Sequence, residues 1–222
     1  GIKATIRNII LTGASALVGV LFAVFGQIYQ TGANAYDFFL VWTIFVSLWV
    51  CISNFPPLWL LYLALINTTI VLYTQQVAVN WTEGWVCILL FSINSVILIA
   101  ASIAGKDRIP QWFLNTIALA SASIATYGIV LGIFDRHQTH LPLLLVSTAV
   151  AFAFVIWHAF KKQSTFYIAL VSFCTIIIVS AWIIDITEQE MAFLPISLFI
   201  IAGISATIKL VIDLQKKWRN EK

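Results

Sequence analysis

Charge is scarce in this chain. Asp, Glu, Lys and Arg together make up 9% of its 222 residues, against 61% hydrophobic residues, and the mean hydropathy is +0.99. A soluble domain carries about 25% charged residues, so this chain cannot cover a water-facing surface of its own size. The same numbers exclude disordered, collagen-like, coiled-coil and disulfide-scaffold classes. The net charge of +3 comes from 12 basic and 9 acidic residues dispersed along the chain. That pattern lacks the basic stripe of a nucleic-acid-binding face. Only three cysteines occur, Cys51, Cys87 and Cys174, with no CxxC or zinc spacing. They are expected to be buried apolar residues. Methionine is almost absent as well: the chain begins with Gly1 and its single methionine is Met191. It is therefore expected to be a fragment of a longer chain.

What is abundant is apolar sequence in long runs. A bilayer core of about 30 Å needs about 20 apolar residues per helix. Eight runs qualify: Ile9–Tyr29, Phe38–Ile52, Leu58–Thr74, Trp85–Ala104, Trp112–Phe134, Leu141–Phe160, Thr165–Ile186 and Met191–Leu214. They are continuous rather than alternating, which argues against a β-barrel. The fold class read from them is all-α, a polytopic transmembrane bundle forming a single transmembrane domain over residues 1–222. The second and third runs are the shortest, and Ser53-Asn54-Phe55-Pro56-Pro57 between them reads as a hairpin turn.

With eight spans, Lys3, Arg7, Lys106, Arg108, Lys161, Lys162, Lys216, Lys217, Arg219 and Lys222 all fall on one side. Asp37, Glu83, Asp135, Glu188 and Glu190 fall on the other, with Arg136 the one basic exception. The positive-inside rule then predicts both termini cytoplasmic. Trp49, Trp59, Trp81, Trp85, Trp112, Trp157, Trp182 and Trp218 lie near span ends, as an interfacial aromatic belt does.

Small residues recur at helix-packing spacing. Ser15, Gly19 and Ala23 share one face of the first span, and Ser121, Ala125, Gly128 and Gly132 lie along the fifth. Such faces let helices approach closely in lipid. Packing within the chain is the simpler reading, and a homodimer or partner face is the alternative.

The polar stretch Phe25–Phe39 interrupts two apolar runs. Gln27, Tyr29, Gln30, Thr31, Asn34, Tyr36 and Asp37 could converge there at the outer mouth of the bundle. Amides, phenols and one carboxylate suit a small polar ligand or a lipid headgroup. The plain alternative is an outer loop, with Gly32 ending one helix and Asp37 near the start of the next. Deeper in the membrane, Asn67 and Asn94 fall near mid-span in the third and fourth runs. Antiparallel neighbours would bring them to one depth, as helix-bonding glue or as a midplane polar site.

Catalytic patterns are missing. No carboxylate sits mid-span, as proton-coupled pumps require, and no HExxH, GxSxG, Walker A or Ser/His/Asp set appears. Asp135, His137 and His140 share a loop, but no further ligand motif accompanies them, and the loop reads as solvated. His158 is a lone histidine near a span end. The chain is therefore expected to be no enzyme and to hold no metal or cofactor.

The run Gly26-Gln27-Ile28-Tyr29-Gln30-Thr31-Gly32-Ala33, followed by Tyr36, Phe39 and Trp42, and then Pro57–Asn67, resembles the bacterial predicted-membrane-protein family of unknown function 2157. The likeness covers the first half of the chain closely. Typical members carry a short cytosolic segment and about two further helices before this point, so the resemblance implies missing N-terminal helices. It also implies a bacterial inner-membrane location, and it carries no activity with it. Two roles are expected. The first is a membrane protein binding or transporting a small polar ligand or lipid at the Gln27–Asp37 mouth. The second is a structural or regulatory subunit, with a membrane-protein partner or a second copy docked on faces such as Gly128/Gly132.

Overall fold

A computed structural model describes residues 2–29, 34–104, 109–135, 140–187 and 189–220. Among these residues the chain forms eight α-helices and no strand. They are α1 (Ile2–Tyr29), α2 (Ala35–Ile52), α3 (Pro56–Gln76), α4 (Glu83–Ala104), α5 (Gln111–Phe134), α6 (Leu141–Lys162), α7 (Thr165–Ile186) and α8 (Gln189–Asn220). All eight are long and apolar enough to cross a membrane. The all-α, multi-span reading holds. Its span ends differ most at α1, which starts before Ile9, and at α8, which runs past Leu214 to Asn220. Leaving the hydrocarbon does not oblige a helix to stop, since Lys, Arg and Gln are good helix formers.

Local chemistry sets the boundaries. Pro56 and Pro57 open α3, where the missing N–H costs nothing. The turn before them is pinned twice. Ser53 N–H donates to the Trp49 carbonyl at 2.8 Å, and Trp59 Nε1–H donates to the Ser53 carbonyl at 3.1 Å. The α2–α3 hairpin therefore joins two full spans. At the end of α6, Gln163 adopts a left-handed φ of 54°, which lets Ser164 N–H close on the Ala159 carbonyl at 2.9 Å.

The helices divide into two compact units. The first comprises Gly1–Thr82 and Ala100–Leu114. Its core is Val46, Leu58 and Leu65, flanked by Phe39, Trp42 and Trp49. α2 packs along α3, and α1 lies against both. The second unit comprises Glu83–Ile99 and Asn115–Lys222. One of its clusters joins Cys87, Phe91, Ala125, Ile129 and Leu144. Another joins Ala118, Ala159, Tyr167, Ile168 and Trp218. Half of the α5 span is buried, against 6% for α1 and for α8, so α5 is the most enclosed helix. The exposed surface is rich in large apolar side chains such as Ile9, Leu21, Leu48, Val96, Val146 and Leu198. In water that would be an aggregation hazard, whereas a lipid bilayer accepts it.

Three sequence expectations meet the packing here. Cys87 and Cys174 are buried as expected, but Cys51 is exposed. The Gly128/Gly132 face is not open to a partner. Cys87 and Leu144 lie over Gly128, and Leu141 lies over Gly132. Likewise the Trp42 ring covers Gly19. Trp42 is also the one tryptophan of nine placed mid-helix; the other eight sit at or near helix ends.

Hydroxyls stitch helices within each unit. Thr43 and Thr69 Oγ1 lie 3.0 Å apart between α2 and α3, and Ser95 and Ser121 Oγ lie 2.9 Å apart between α4 and α5. Thr148 is different: it is buried with no hydrogen-bond partner for Oγ1. The carbonyl it would ordinarily use, that of Leu144, accepts from Ser147 Oγ at 3.0 Å instead. Replacing an unsatisfied buried hydroxyl with a methyl of like shape removes a desolvation cost of about 1–3 kcal/mol. Thr148→Val is therefore expected to raise the melting temperature in detergent. A lowered melting temperature would mean that the hydroxyl has a partner in solution.

Candidate functional site

The start of α2 and the end of α3 bring polar groups together at one end of the first unit. Asn34 is the N-cap of α2, with extended backbone at φ −68° and ψ 155°. The first backbone N–H groups of a helix have no partner inside it. Here Asp37 Oδ2 accepts the Asn34 N–H at 3.1 Å, and its charge sits favourably in the first turn. Another orphan donor is met from 40 residues away: Tyr36 N–H donates to Gln76 Oε1 at 2.9 Å. The Tyr36 and Tyr73 rings pack beside this bond, with centroids 5.2 Å apart and planes at 55°. Asn34, Asp37, Tyr73 and Gln76 are exposed, and Tyr36 is half-buried.

The arrangement offers two phenols, two amides and one carboxylate. It can donate and accept hydrogen bonds and attract a cation. It contains no paired general acid and base and no activated nucleophile. Among the described residues no group of three or more His, Cys, Asp or Glu could hold a metal ion. His137 lies outside the described residues, while the His140 ring packs on Trp85 with centroids 4.2 Å apart.

The predicted residues fare unequally. Asn34 and Asp37 join the cluster. Gln27 and Tyr29 fall in the last turn of α1, with side chains outside the described residues, and Gln30 and Thr31 lie outside them altogether. Asn67 is half-buried in α3 and has an interaction partner. Asn94 is fully buried in α4, where Nδ2 donates to the Leu90 carbonyl at 2.8 Å. Asn67 belongs to the first unit and Asn94 to the second. Sequence reasoning missed Tyr73 and Gln76. The available signal was the polar end of the third run, Tyr73-Thr74-Gln75-Gln76, which only the hairpin carries back to Asn34.

No curated protein and no solved structure matches the chain. Residues 3–59, which cover nearly all of α1, all of α2 and the turn into α3, match the model of the family described as predicted membrane protein (DUF2157).

Proposed function

We propose that this membrane protein acts by binding, not by catalysis, and that it recognises a small polar molecule or lipid headgroup at the Asn34–Gln76 cluster. The observation that carries the reading is the convergence of Tyr36 with Tyr73 and Gln76, from the start of α2 and the end of α3, beside the Asp37 carboxylate in the same first turn. Closing the α2 N-terminus requires only the Asp37 carboxylate and one amide oxygen. The exposed Tyr73 phenol, the half-buried Tyr36 phenol and the Gln76 amide nitrogen remain as groups that a ligand could meet. The subunit reading loses support, because the Gly128 and Gly132 face is filled by the chain's own Cys87, Leu144 and Leu141.

The sidedness proposed with this function places both termini in the cytoplasm of a bacterial cell and the cluster on the outer side. It rests on the basic residues at the ends of α6 and α8, set against Asp37 and Glu83 at the opposite helix ends. The test is native mass spectrometry of the full-length protein, extracted gently from its own membrane. A small molecule or lipid of defined mass is expected to be retained, and to be lost in the triple variant Asp37→Asn, Tyr73→Leu, Gln76→Leu. Undiminished retention in that variant would overturn the assignment.

A further inference from the structure

In the second unit, the α6–α7 turn and the last turns of α8 line a cleft of about 560 Å³. That volume falls within the range of small-molecule sites, roughly 300–1,000 Å³. Its lining is mixed: Ile212 and Trp218 are apolar, and Lys216, Arg219, Gln163, Gln215 and Thr165 are polar. Trp218 is itself buried at 8% exposure. It packs edge-on against Phe160, with centroids 6.1 Å apart, and joins the Ala159, Tyr167 and Ile168 cluster. One lining residue of the cleft, Trp218, is thus part of the unit's core and is held in place by it.

We propose that this cleft binds the phosphate of an anionic phospholipid headgroup, with Arg219 and Lys216 as its charge partners and the apolar lining residues Ile212 and Trp218 against the lipid's apolar portion.

Depth is the first argument. α6 ends at Lys162 and α7 begins at Thr165, so their turn marks one edge of the hydrocarbon. α8 has 32 residues, or about 48 Å of helix, well beyond a bilayer core of about 30 Å. Its apolar run ends at Leu214, which leaves Gln215–Asn220 at headgroup level beside the turn. Lys161 supports the same depth, since its Nζ lies 5.2 Å from the centre of the Trp157 ring, an interfacial pairing.

Charge is the second. Among the described residues, the segments forming this end carry Lys161, Lys162, Lys216, Lys217 and Arg219 against the carboxylate of Asp213. The guanidinium fork suits two phosphate oxygens at once, and the ammonium acts as a point charge. The amide of Gln163 and the hydroxyl of Thr165 add neutral hydrogen-bonding groups on the rim. α7, 22 residues long, also starts here, and its N-cap Ser164 makes no side-chain capping bond. The positive end of that helix reinforces a phosphate already held by the two side chains.

The apolar lining residues Ile212 and Trp218 favour a lipid over a soluble phosphate, and the experiment separates the two. The full chain, purified in a mild non-ionic detergent, is titrated with phosphatidylglycerol or phosphatidylcholine and read by native mass spectrometry. Phosphatidylglycerol should bind one copy per chain, about tenfold or more tighter than phosphatidylcholine. K216Q/R219Q should bring it down to the phosphatidylcholine level. K216R/R219K should retain the preference, and R7Q, which removes one charge that does not line the cleft, should leave it intact. Both cleft cations are exposed, so an unchanged melting temperature is expected to show that K216Q/R219Q is folded. Inorganic phosphate at millimolar concentration is the competitor. Failure to displace the lipid assigns the cleft to the headgroup, and displacement assigns it to a soluble phosphate. Equal binding of the two lipids, full retention in K216Q/R219Q, or an equal loss in R7Q would each overturn the proposal.

Discussion

Gly128→Leu is expected to remove most of the folded protein, with a loss of several kcal/mol. A Cβ at position 128 would lie 2.7 Å from Cys87 Cβ and 2.8 Å from Leu144 Cδ2. The leucine end could rotate away, but Cys87 Cβ is fixed to the α4 backbone. Relief therefore requires α4 and α5 to separate. Even modest overpacking of a tight core costs about 1–3 kcal/mol, and leucine adds three further carbons to a space closed at the first. Cys87 and Leu144 belong to one buried cluster with Ala125 and Ile129, so moving either one disturbs the rest. The helices themselves should survive, because lipid enforces their internal hydrogen bonds; what fails is their packing. The measurement is a thermal melt in detergent together with the steady-state amount in the membrane. Gly13 supplies the control, since nothing lies within 4 Å of a Cβ added there. Gly13→Ala should be neutral or gain up to about 1 kcal/mol in helix propensity. Similar losses at the two positions would show that glycine flexibility, rather than the close contact with Cys87, matters at 128.

That contact also marks the boundary of what sequence reading can reach. The spans were legible because the bilayer imposes a length and an apolar composition that a chain shows residue by residue. α7 begins and ends where its run does, at Thr165 and Ile186, since a serine precedes it and a polar, acidic stretch follows. The faces were partly legible. Spacing alone put Ser15 with Gly19 and Gly128 with Gly132, yet what each face meets depends on which helix folds against it. In both cases the occupant is a side chain of a neighbouring helix, and spacing carries no information about its identity. The Asn34 cluster shows the same limit. Asp37 three residues after Asn34 is a local signal, and its N-terminal role was anticipated. Gln76 satisfies another donor only because the Ser53–Phe55 turn reverses the chain, a tertiary event pinned by Trp59. The basic cleft was visible only as positive charge near span ends; the packing of Trp218 against Ala159, Tyr167 and Ile168 is a tertiary event.

Gly19→Leu should lower the melting temperature through the α1–α2 contact, and Trp42 should determine by how much. The Trp42 ring lies over Gly19, and its Nε1–H donates to the Ser15 carbonyl at 2.7 Å, one turn earlier on α1. Ser15 is fully buried at that point, and its own hydroxyl turns back to the Leu11 carbonyl at 2.8 Å. The α1 face is thus shaped to take an indole: no side chain at 19, a small one at 15, and a carbonyl that accepts its proton. In lipid, separating apolar surfaces costs little, so packing and the hydrogen bond carry most of the association, with about 0.6–2 kcal/mol from the bond. A leucine at 19 displaces the ring and breaks that bond. Trp42→Ala removes the same bond and leaves a gap of similar extent. The two changes act on one contact, so their effects should not add. In Gly19→Leu/Trp42→Ala the leucine enters the space vacated by the ring. The double variant should be more stable than the sum of the single losses predicts, by about 0.5–3 kcal/mol. Strict additivity in a double-mutant cycle of detergent melts would separate the two residues energetically. If, in addition, Gly19→Leu abolished self-association while leaving the melt unchanged, the Ser15–Gly19 face would belong to a second copy rather than to Trp42.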